Sequence, residues 1–429
     1  MRRLTSLASL TAVAILASSV IAAPANAADR AKPRDLRGTT VQANLFGMHV
    51  FNVQDGVWPT VPIGSLRLWD NETTWAQLEP SKGAFNWAKL DKAVATAKAN
   101  GVNDILMVLA GTPAWATDDP ASGGAAGVLP GAAGMPKNLQ DWDDWVRAVA
   151  ERNRDVYGGA ITSFQPWNEA NLVTFSTGTA QEMADLTKRA YDIIKSITPS
   201  ATVVAPSMGT RLGSNGSQLS KRFTAYYGTY LRQLKAYNWP VDVWSAHTYP
   251  ASLGTPVNRA QLIKGFQNIL KTYGAPAKPI WDTENNFGLA GPGPQNPDQD
   301  ITDYRAASWT ARTYLDSLRF GISRVYWYAW GPENDLVGIQ MYDGTPAAKA
   351  YATLEDWIVG ATYVKCKTKK GAVTCTFRKN GSTFQVVYAD NNRKSFKTAG
   401  FSQVCELDGT CKPITTKRIR TYGPIQLKN

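Results

Sequence analysis

Eight short apolar runs, each parted from the next by a segment of helical periodicity, constrain this chain more than any other feature. They are Leu45–Val50, Ser65–Trp69, Ile105–Ala110, Ile161–Trp167, Thr202–Ala205, Val241–Ala246, Pro279–Thr283 and Arg324–Trp330. Nearly continuous apolar runs of this length suit strands covered on both faces, as in a parallel sheet. Helical patterns lie between them at Trp87–Asn100, Leu139–Arg154, Gln181–Ile197, Arg222–Tyr237, Arg259–Tyr273 and Thr302–Leu318, and Ala347–Trp357 closes the series. Eight strands in such alternation predict an α/β fold, a (β/α)8 TIM barrel, over residues 44–359.

The flanks of that repeat differ from it in kind. Arg2 and Arg3, an apolar stretch from about Leu7 to Ala22 and the small residues Ala25-Asn-Ala27 read as an export signal over residues 1–27, with residues 28–43 as an N-terminal segment. The apolar stretch is too short for a membrane span, and no later run supplies one. After Gly360 the texture changes to short alternating runs such as Ala372–Phe377 and Thr383–Tyr388, which predict a small C-terminal antiparallel β domain over residues 360–429. A third anomaly is Thr117–Lys137, rich in Gly, Ala and Pro and without periodicity. A segment of that kind after a strand is expected to be a lid over the catalytic face or an insertion without fixed structure.

Charge and cysteine follow the same division. The chain carries +12 in all; residues 361–429 alone hold 14 Lys and Arg against Asp390, Glu406 and Asp408, so the barrel segment is close to neutral. A basic tail domain reads either as a site for an anionic partner, here a cell-wall polymer, or as a solvated basic face that only aids solubility. All four cysteines, Cys366, Cys375, Cys405 and Cys411, fall in that domain. In an exported chain they imply two disulfides. Of the three connectivities, local pairing of 366 with 375 and of 405 with 411 is expected, because each pair would staple a hairpin. Their spacing does not suggest zinc, and with only His49 and His247 in the chain a histidine-rich metal site is not expected either. No metal, cofactor or nucleic-acid partner is expected, and the chain is read as a monomer.

Two carboxylates stand out because each ends an apolar run. Glu169 closes Ile161-Thr-Ser-Phe-Gln-Pro-Trp-Asn-Glu169, and Glu284 closes Pro279-Ile-Trp-Asp-Thr-Glu284. Residues at strand ends of a barrel meet across its mouth although far apart in sequence. The bland reading of Glu169 is an acidic residue favoured near a helix N-terminus. On the seventh run Ile280, Asp282 and Glu284 share one face by the two-residue period, so Asp282 is a rival, read as a hydrogen-bonding group deeper in the barrel.

The chain resembles the clan A retaining glycoside hydrolases, and within them family 39 and its bacterial exopolysaccharide hydrolases. The motifs that carry the likeness are Leu66-Arg-Leu-Trp-Asp70, Trp75-Ala-Gln-Leu-Glu-Pro-Ser-Lys-Gly83, Gly111-Thr-Pro-Ala-Trp115, Gln165-Pro-Trp-Asn-Glu-Ala-Asn171, His247-Thr-Tyr249 and Tyr326-Trp-Tyr-Ala-Trp330. They span about residues 44–357 in the order of the strands. The resemblance implies a nucleophile at Glu284 and an acid/base at Glu169. It implies that Asn168 holds a sugar 2-hydroxyl, that Tyr249 donates to Glu284, and that His247 binds sugar or orients a carboxylate. Arg67 is read as fixing Glu284 or as a buried structural ion, with His49 a weaker candidate beside it. Trp330 is expected as the floor under the sugar that is cut, and Trp115 and Trp69 as walls of neighbouring subsites. The implied activity is endo-hydrolysis of an extracellular or cell-wall polysaccharide by a secreted enzyme. The competing expectation is a carbohydrate-binding protein on a barrel scaffold without catalysis.

Overall fold

The structure, a computed structural model, describes residues 35–429 except 124–128, 214, 215, 217, 292, 293 and 295. The expected export signal, residues 1–27, lies outside the described residues. Eight parallel strands form the first sheet: β1 (Phe46–Val50), β2 (Ser65–Leu68), β3 (Ile105–Val108), β4 (Ile161–Gln165), β5 (Thr202–Val203), β6 (Trp244–His247), β7 (Ile280–Asn285) and β8 (Ile322–Trp330). Their order is β5-β4-β3-β2-β1-β8-β7-β6. The outer members of that order meet through a parallel bridge between Val204 and Val243, where Ala205 N donates to Val243 O at 2.9 Å. The sheet thus curls into the (β/α)8 barrel.

The outer ring is made by α1 (Trp75–Leu78), α2 (Ala88–Ala99), α3 (Leu139–Asp155), α4 (Ala180–Ile197), α5 (Lys221–Ala236), α6 (Pro256–Thr272), α7 (Asp303–Phe320) and α8 (Pro346–Ile358). Local chemistry sets their ends. Thr179 and Glu182 form a reciprocal capping box at α4, with Glu182 accepting from Thr179 N at 2.8 Å. Such a cap contributes about 1 kcal/mol. Pro256 and Pro346 occupy first-turn positions, where a missing N–H costs nothing. Gly321, at φ 76°, ends α7 in the left-handed conformation that favours glycine.

The barrel interior is layered. Leu106, Val204, Val243, Trp281 and Tyr326 plug its lower half. Gly47 on β1 is required there, because a Cβ would lie 2.6 Å from the Tyr326 ring. The tryptophan richness is mainly structural. Trp75 stacks on Trp145 at 6.1 Å and meets Trp142 and Trp115 edge-on, binding α1 to α3 outside the barrel. Pairs of this kind add about 0.5–1.5 kcal/mol each beyond area burial.

The C-terminal part holds β9 (Thr362–Lys369), β10 (Ala372–Lys379), β11 (Ser382–Ala389), β12 (Lys394–Lys397), β13 (Gln403–Cys405), β14 (Cys411–Pro413), β15 (Arg418–Thr421) and β16 (Ile425–Lys428). Six pair antiparallel in the order β14-β13-β16-β11-β10-β9, and β12 pairs with β15. Lys370-Gly371 and Asn380-Gly381 are two-residue hairpin loops with positive φ at both positions, which matches the twist of the flanking strands. Cys366 faces Cys375 and Cys405 faces Cys411 in register, and each pair is disulfide-bonded.

This second sheet is docked on α7 and not tethered beside it. Every residue from Ala306 to Leu318 is buried, because one side of α7 lies on the barrel and the other under the sheet. Tyr388 on β11 donates to Asp316 at 2.7 Å, and Arg319 bridges Asp316 and Asp390 at 3.1 and 3.0 Å. Val373, Phe377 and Val386 join the same hydrophobic core as the barrel. Residues 38–41 complete the junction, with Gly38 N donating to Tyr363 O at 2.7 Å.

The Thr117–Lys137 segment departs from the expectation of a structureless stretch in its described residues. Thr117 bridges Pro136, Lys137 N donates to Ala116 O at 2.9 Å, and Thr177 N donates to Ala133 O at 2.8 Å. Gly131 to Gly134 are buried. Small residues are needed here for close packing, since a Cβ on Gly134 would fall 2.2 Å from the Thr117 hydroxyl. Composition that reads as disorder serves compactness instead.

Candidate active site

Arg67 organises the mouth of the barrel. It is fully buried on β2, and a buried guanidinium must satisfy its five donors with acceptors at fixed angles. Nη1 donates to Glu284 Oε2 at 2.9 Å and to His49 Nε2 at 3.1 Å; Nη2 donates to Asn168 Oδ1 at 2.7 Å and to Gln165 Oε1 at 2.8 Å; Nε also reaches Gln165 Oε1, at 3.1 Å. Strand ends β1, β2, β4 and β7 are thereby tied to one planar group. Gln165, which opens the Gln165–Asn171 motif and carries no site signal of its own in the sequence, is held in turn by its Nε2, which donates to Ser245 Oγ at 2.8 Å and Ala205 O at 3.0 Å.

Glu284 is 9% exposed and accepts at both oxygens, from Arg67 at Oε2 and from the Tyr249 hydroxyl at Oε1, 2.9 Å away. Burial pushes its carboxyl above the usual range, and the neighbouring Glu169 adds to this, while Arg67 works against it. Burial and the carboxylate keep the Tyr249 phenol well above its ordinary value, so it stays a donor.

Glu169 sits beyond the end of β4 in a left-handed backbone, φ 42°, which few non-glycine residues adopt. Its N–H donates to Ser207 Oγ at 3.0 Å, fixing the bend that turns the side chain inward. It is 7% exposed, and among the described residues the hydrogen-bond partner of its carboxyl is His247 Nδ1, 3.1 Å from Oε1. Burial raises its pKa, opposed by the fields of Arg211 and Arg67.

The same His247 Nδ1 lies 3.8 Å from Glu284 Oε2. The two carboxyl groups thus flank one atom, and these oxygens are at most ~7 Å apart, which accommodates the ~5–5.5 Å of retaining pairs. Burial drives His247 down to about 3, so the ring is neutral and Nδ1 is a proton donor or acceptor, not a fixed cation. His49 is also held well below its ordinary value, by burial and Arg67. His49 Nε2 lies within hydrogen-bond distance of both Arg67 Nη1, at 3.1 Å, and the Thr283 carbonyl, at 3.3 Å.

Several sequence expectations change. Asp282 does not share the face of Glu284. It points out of the barrel, where Arg259 on α6 pairs with it at 2.7 Å and Thr248 N donates to it at 3.1 Å. The cause is a register shift on β7 between Asp282 and Asn285, matched on β6 between Ala246 and His247. One extra residue breaks the two-residue period, so Trp281, Thr283 and then Glu284 turn inward. Trp330 is only 5% exposed and belongs to the main core; no hydrogen bond or ring contact joins it to either glutamate. The β8 aromatic beside the pair is Tyr328, whose ring meets His49 edge-on at 5.0 Å and whose hydroxyl bonds Asp70. Trp115 is half-buried, donates to Glu79 O at 3.0 Å and ends the aromatic cluster described above, while Trp69 is 9% exposed and meets Phe175 edge-on at 6.2 Å.

Asp70 was legible as part of a motif but not as a site residue. It opens to solvent on one side, yet crowding by protein pushes its carboxyl up to about 6, with Glu169 contributing. Arg211 and Gly209, beside Glu169, had no sequence signal. A larger cavity of about 610 Å³ lies at the opposite end of the barrel near Val41 and Trp281 and includes neither glutamate. Among the described residues no cluster of His, Cys, Asp and Glu could hold a metal ion.

Known proteins agree with this architecture. The family 42 glycoside hydrolase model described as beta-galactosidase matches residues 65–121, a span from β2 into the loop after β3. A family 39 glycoside hydrolase from Bacteroides cellulosilyticus WH2 is 17% identical, with 90% of this chain and 81% of that one covered and a TM-score of 0.65. A family 39 beta-xylosidase from Caulobacter crescentus is 15% identical, with 92% and 98% covered and a TM-score of 0.62. A family 30 endoxylanase from Clostridium papyrosolvens C71 is 15% identical, with 91% and 98% covered and a TM-score of 0.56. No curated protein matches the chain in sequence. At these identities the likeness establishes the fold, which is that of the clan A glycoside hydrolases.

Proposed function

We propose that this chain is a secreted retaining glycoside hydrolase that cleaves a polysaccharide by double displacement, with Glu284 as nucleophile and Glu169 as acid/base. One observation carries the reading: two buried carboxyls flank a single neutral imidazole nitrogen, and only one of them is hydrogen-bonded by a cation. Arg67 and Tyr249 favour the anion at Glu284. Glu169 has a neutral partner and a burial penalty on its charge, so the pair shares one proton and Glu169 holds it.

Glu284 then attacks the anomeric carbon while Glu169 gives its proton to the leaving oxygen. Once Glu284 is an ester its charge is gone, and Glu169, now a carboxylate, takes a proton from the incoming water; attack from the opposite face restores the original configuration. Asn168, with Oδ1 committed to Arg67 and Ser207, has Nδ2 left to donate to the sugar 2-hydroxyl. Tyr328 and Asp70 take the place proposed for Trp330 beside the sugar.

Disulfides and the signal-like start support export. Among the described residues no helix is long and apolar enough to cross a membrane. A cavity beyond Glu169, formed by the loops after β4 to β7, favours endo-action on a wall or extracellular glycan. The basic face of residues 360–429 is proposed to hold the enzyme on an anionic wall polymer, and residues 1–27, 28–43 and 44–359 are proposed as signal, lead segment and catalytic barrel.

The test is kinetic. Glu284→Gln and Glu169→Gln are each expected to lower hydrolysis of a glycan panel by at least 1000-fold with folding intact, and azide is expected to rescue Glu284→Gly with an inverted glycosyl azide as product. Near-normal turnover in either Gln variant would reject the assignment, and retained glycan binding with no turnover in the unaltered chain would favour a binding protein.

A further inference from the structure

Beyond Glu169 the loops that follow β4, β5, β6 and β7 enclose a cavity of about 420 Å³, inside the ~300–1,000 Å³ range of small-molecule sites. Asn171 and Gly209 form its edge against Glu169. They exchange hydrogen bonds, Gly209 N to Asn171 Oδ1 at 2.9 Å and Asn171 Nδ2 to Gly209 O at 3.1 Å, and a Cβ on Gly209 would sit 2.7 Å from Glu169 Oε1. Neither glutamate lines the cavity, and it is Glu169 that the wall residue Gly209 approaches. A general acid faces the oxygen that departs, so a cavity whose wall abuts Glu169 lies on the leaving-group side.

Arg211 and Arg222 line this cavity, and among the described residues no acidic one does. Arg211 is half-buried, with Nη1 donating to Thr210 O at 2.8 Å. Every other described arginine that is not exposed has a carboxylate partner: Arg67, Arg152, Arg189, Arg259, Arg312, Arg319 and Arg324. Arg211 alone has none, and Arg222 beside it is exposed and also without one. An unpaired guanidinium in a partly desolvated cleft is costly unless an anion completes it. Its place next to the acid makes the vacancy more telling. A bare cation there draws the proton off Glu169, against the role proposed for that residue, whereas a bound anion would cancel the effect.

We infer that Arg211 and Arg222 form an anion subsite on the leaving-group side, which takes the carboxylate of a uronic acid residue in the polysaccharide. Guanidinium forks match a carboxylate geometrically. The inference rests on the double-displacement reading and extends it. The near-neutral charge of the barrel segment conceals two arginines without carboxylate partners at one subsite. Occupancy links substrate choice to catalysis, because filling the subsite restores the proton affinity of the acid.

The experiment compares uronate-bearing heteropolysaccharides of plant and bacterial origin with their carbodiimide–borohydride reduced forms, in which each carboxylate becomes a neutral primary alcohol on the same backbone. The unaltered full chain is expected to cleave at least one carboxylated member with kcat/KM ten-fold or more above its reduced form. On that member the basic limb of kcat is expected at higher pH than on the reduced one. Arg211→Gln/Arg222→Gln should bring the ratio close to one, and Arg211→Lys/Arg222→Lys should retain part of it. Equal or better cleavage of reduced polymers, no cleavage of any carboxylated member, or a preference that survives the Gln pair would each overturn the inference. Full turnover by Glu284→Gln would instead sink the underlying catalytic reading, whatever the preference.

Discussion

Replacing Arg67 by Met removes one cation and leaves its five acceptor contacts facing an apolar stem. The ion pair with Glu284 spans 2.9 Å between side chains that are 0% and 11% exposed. Two unit charges ~4 Å apart attract by about 4 kcal/mol at the effective dielectric of ~20 that suits such sites. Breaking a buried pair from one side costs about 3–5 kcal/mol of stability, a large part of the ~5–15 kcal/mol that a domain possesses. The sign with pH is fixed. Burial already raises Glu284 above the ordinary carboxylate range, and loss of Arg67 raises it further. A protonated Glu284 needs no counter-ion. The gap in stability between variant and unaltered chain is therefore small in acid and widens as pH rises through the folded-state pKa.

Activity follows the same logic. On the proposed mechanism the acid limb of kcat/KM reports ionisation of Glu284 in the free enzyme, and Arg67 also lowers Glu169, so both limbs should move to higher pH with a 100-fold or larger loss at neutrality. Arg67→Lys keeps charge without the fork and should fall between. Urea unfolding at pH 5 and 7.5, with pH–rate profiles for both variants, measures all of this. Arg259→Met breaks a comparable buried pair, with Asp282 at 2.7 Å outside the barrel, and should destabilise similarly with no displacement of the profile. Identical limbs in Arg67→Met and the unaltered chain would refute the claim that this guanidinium tunes the pair.

Other consequences are direct. Gly209→Ala places a methyl 2.7 Å from Glu169 Oε1 and 3.0 Å from the Leu172 Cδ1, both side-chain tips, so kcat should drop at least ten-fold while the unfolding free energy changes by about 1 kcal/mol or less. The chain has two histidines, and with His247 pushed down to about 3 and His49 well below 6.5, neither should titrate between pH 5 and 8 in 15N-histidine spectra. A transition near pH 6.5 at His247 would contradict its burial as a neutral ring. Since the unfolded chain protonates these rings below about 6.5, they should make stability fall as pH drops beneath that value. Deleting residues 361–429 uncovers Trp309, Arg312 and Asp316 on α7, so the truncated chain should lose turnover and solubility together, and an active, soluble barrel would show the domain to be a separable module.

The fold was legible because a parallel barrel repeats one signal eight times. No single strand boundary had to be right for the alternation to be read. The apolar runs overshoot the strands at their C-terminal ends, as at Trp167 and Ala110, since the chain stays buried after it leaves the sheet. Hairpin pairing of the cysteines was legible too, because Lys370-Gly371 fixes the register that sets Cys366 against Cys375. The docking of that domain was not. Only the helix beneath it carries a trace, in α7, whose polar residues Arg312 and Asp316 are as buried as its apolar ones and look from the sequence like an exposed face.

The site divides along the same line between periodic and aperiodic structure. Glu169 and Glu284 are legible because each ends an apolar run, whereas His247 and Tyr249 are legible as site candidates through the family resemblance. Asp282 was put on the face of Glu284 by trusting the two-residue period past the point where it holds. A register shift on β7 turns Glu284 inward and leaves Asp282 to Arg259, so the residue that looked equivalent by spacing belongs to another layer. Arg211 shows the deeper limit. Its significance is a missing partner, and a missing partner is a property of three-dimensional neighbours that no spacing along the chain encodes. The same holds for Gly209, which is informative only because Glu169 Oε1 occupies the space where its Cβ would be. Motifs locate the reacting groups on such a barrel, but what they act on is decided by the loops between, where unpaired charge is the readable quantity.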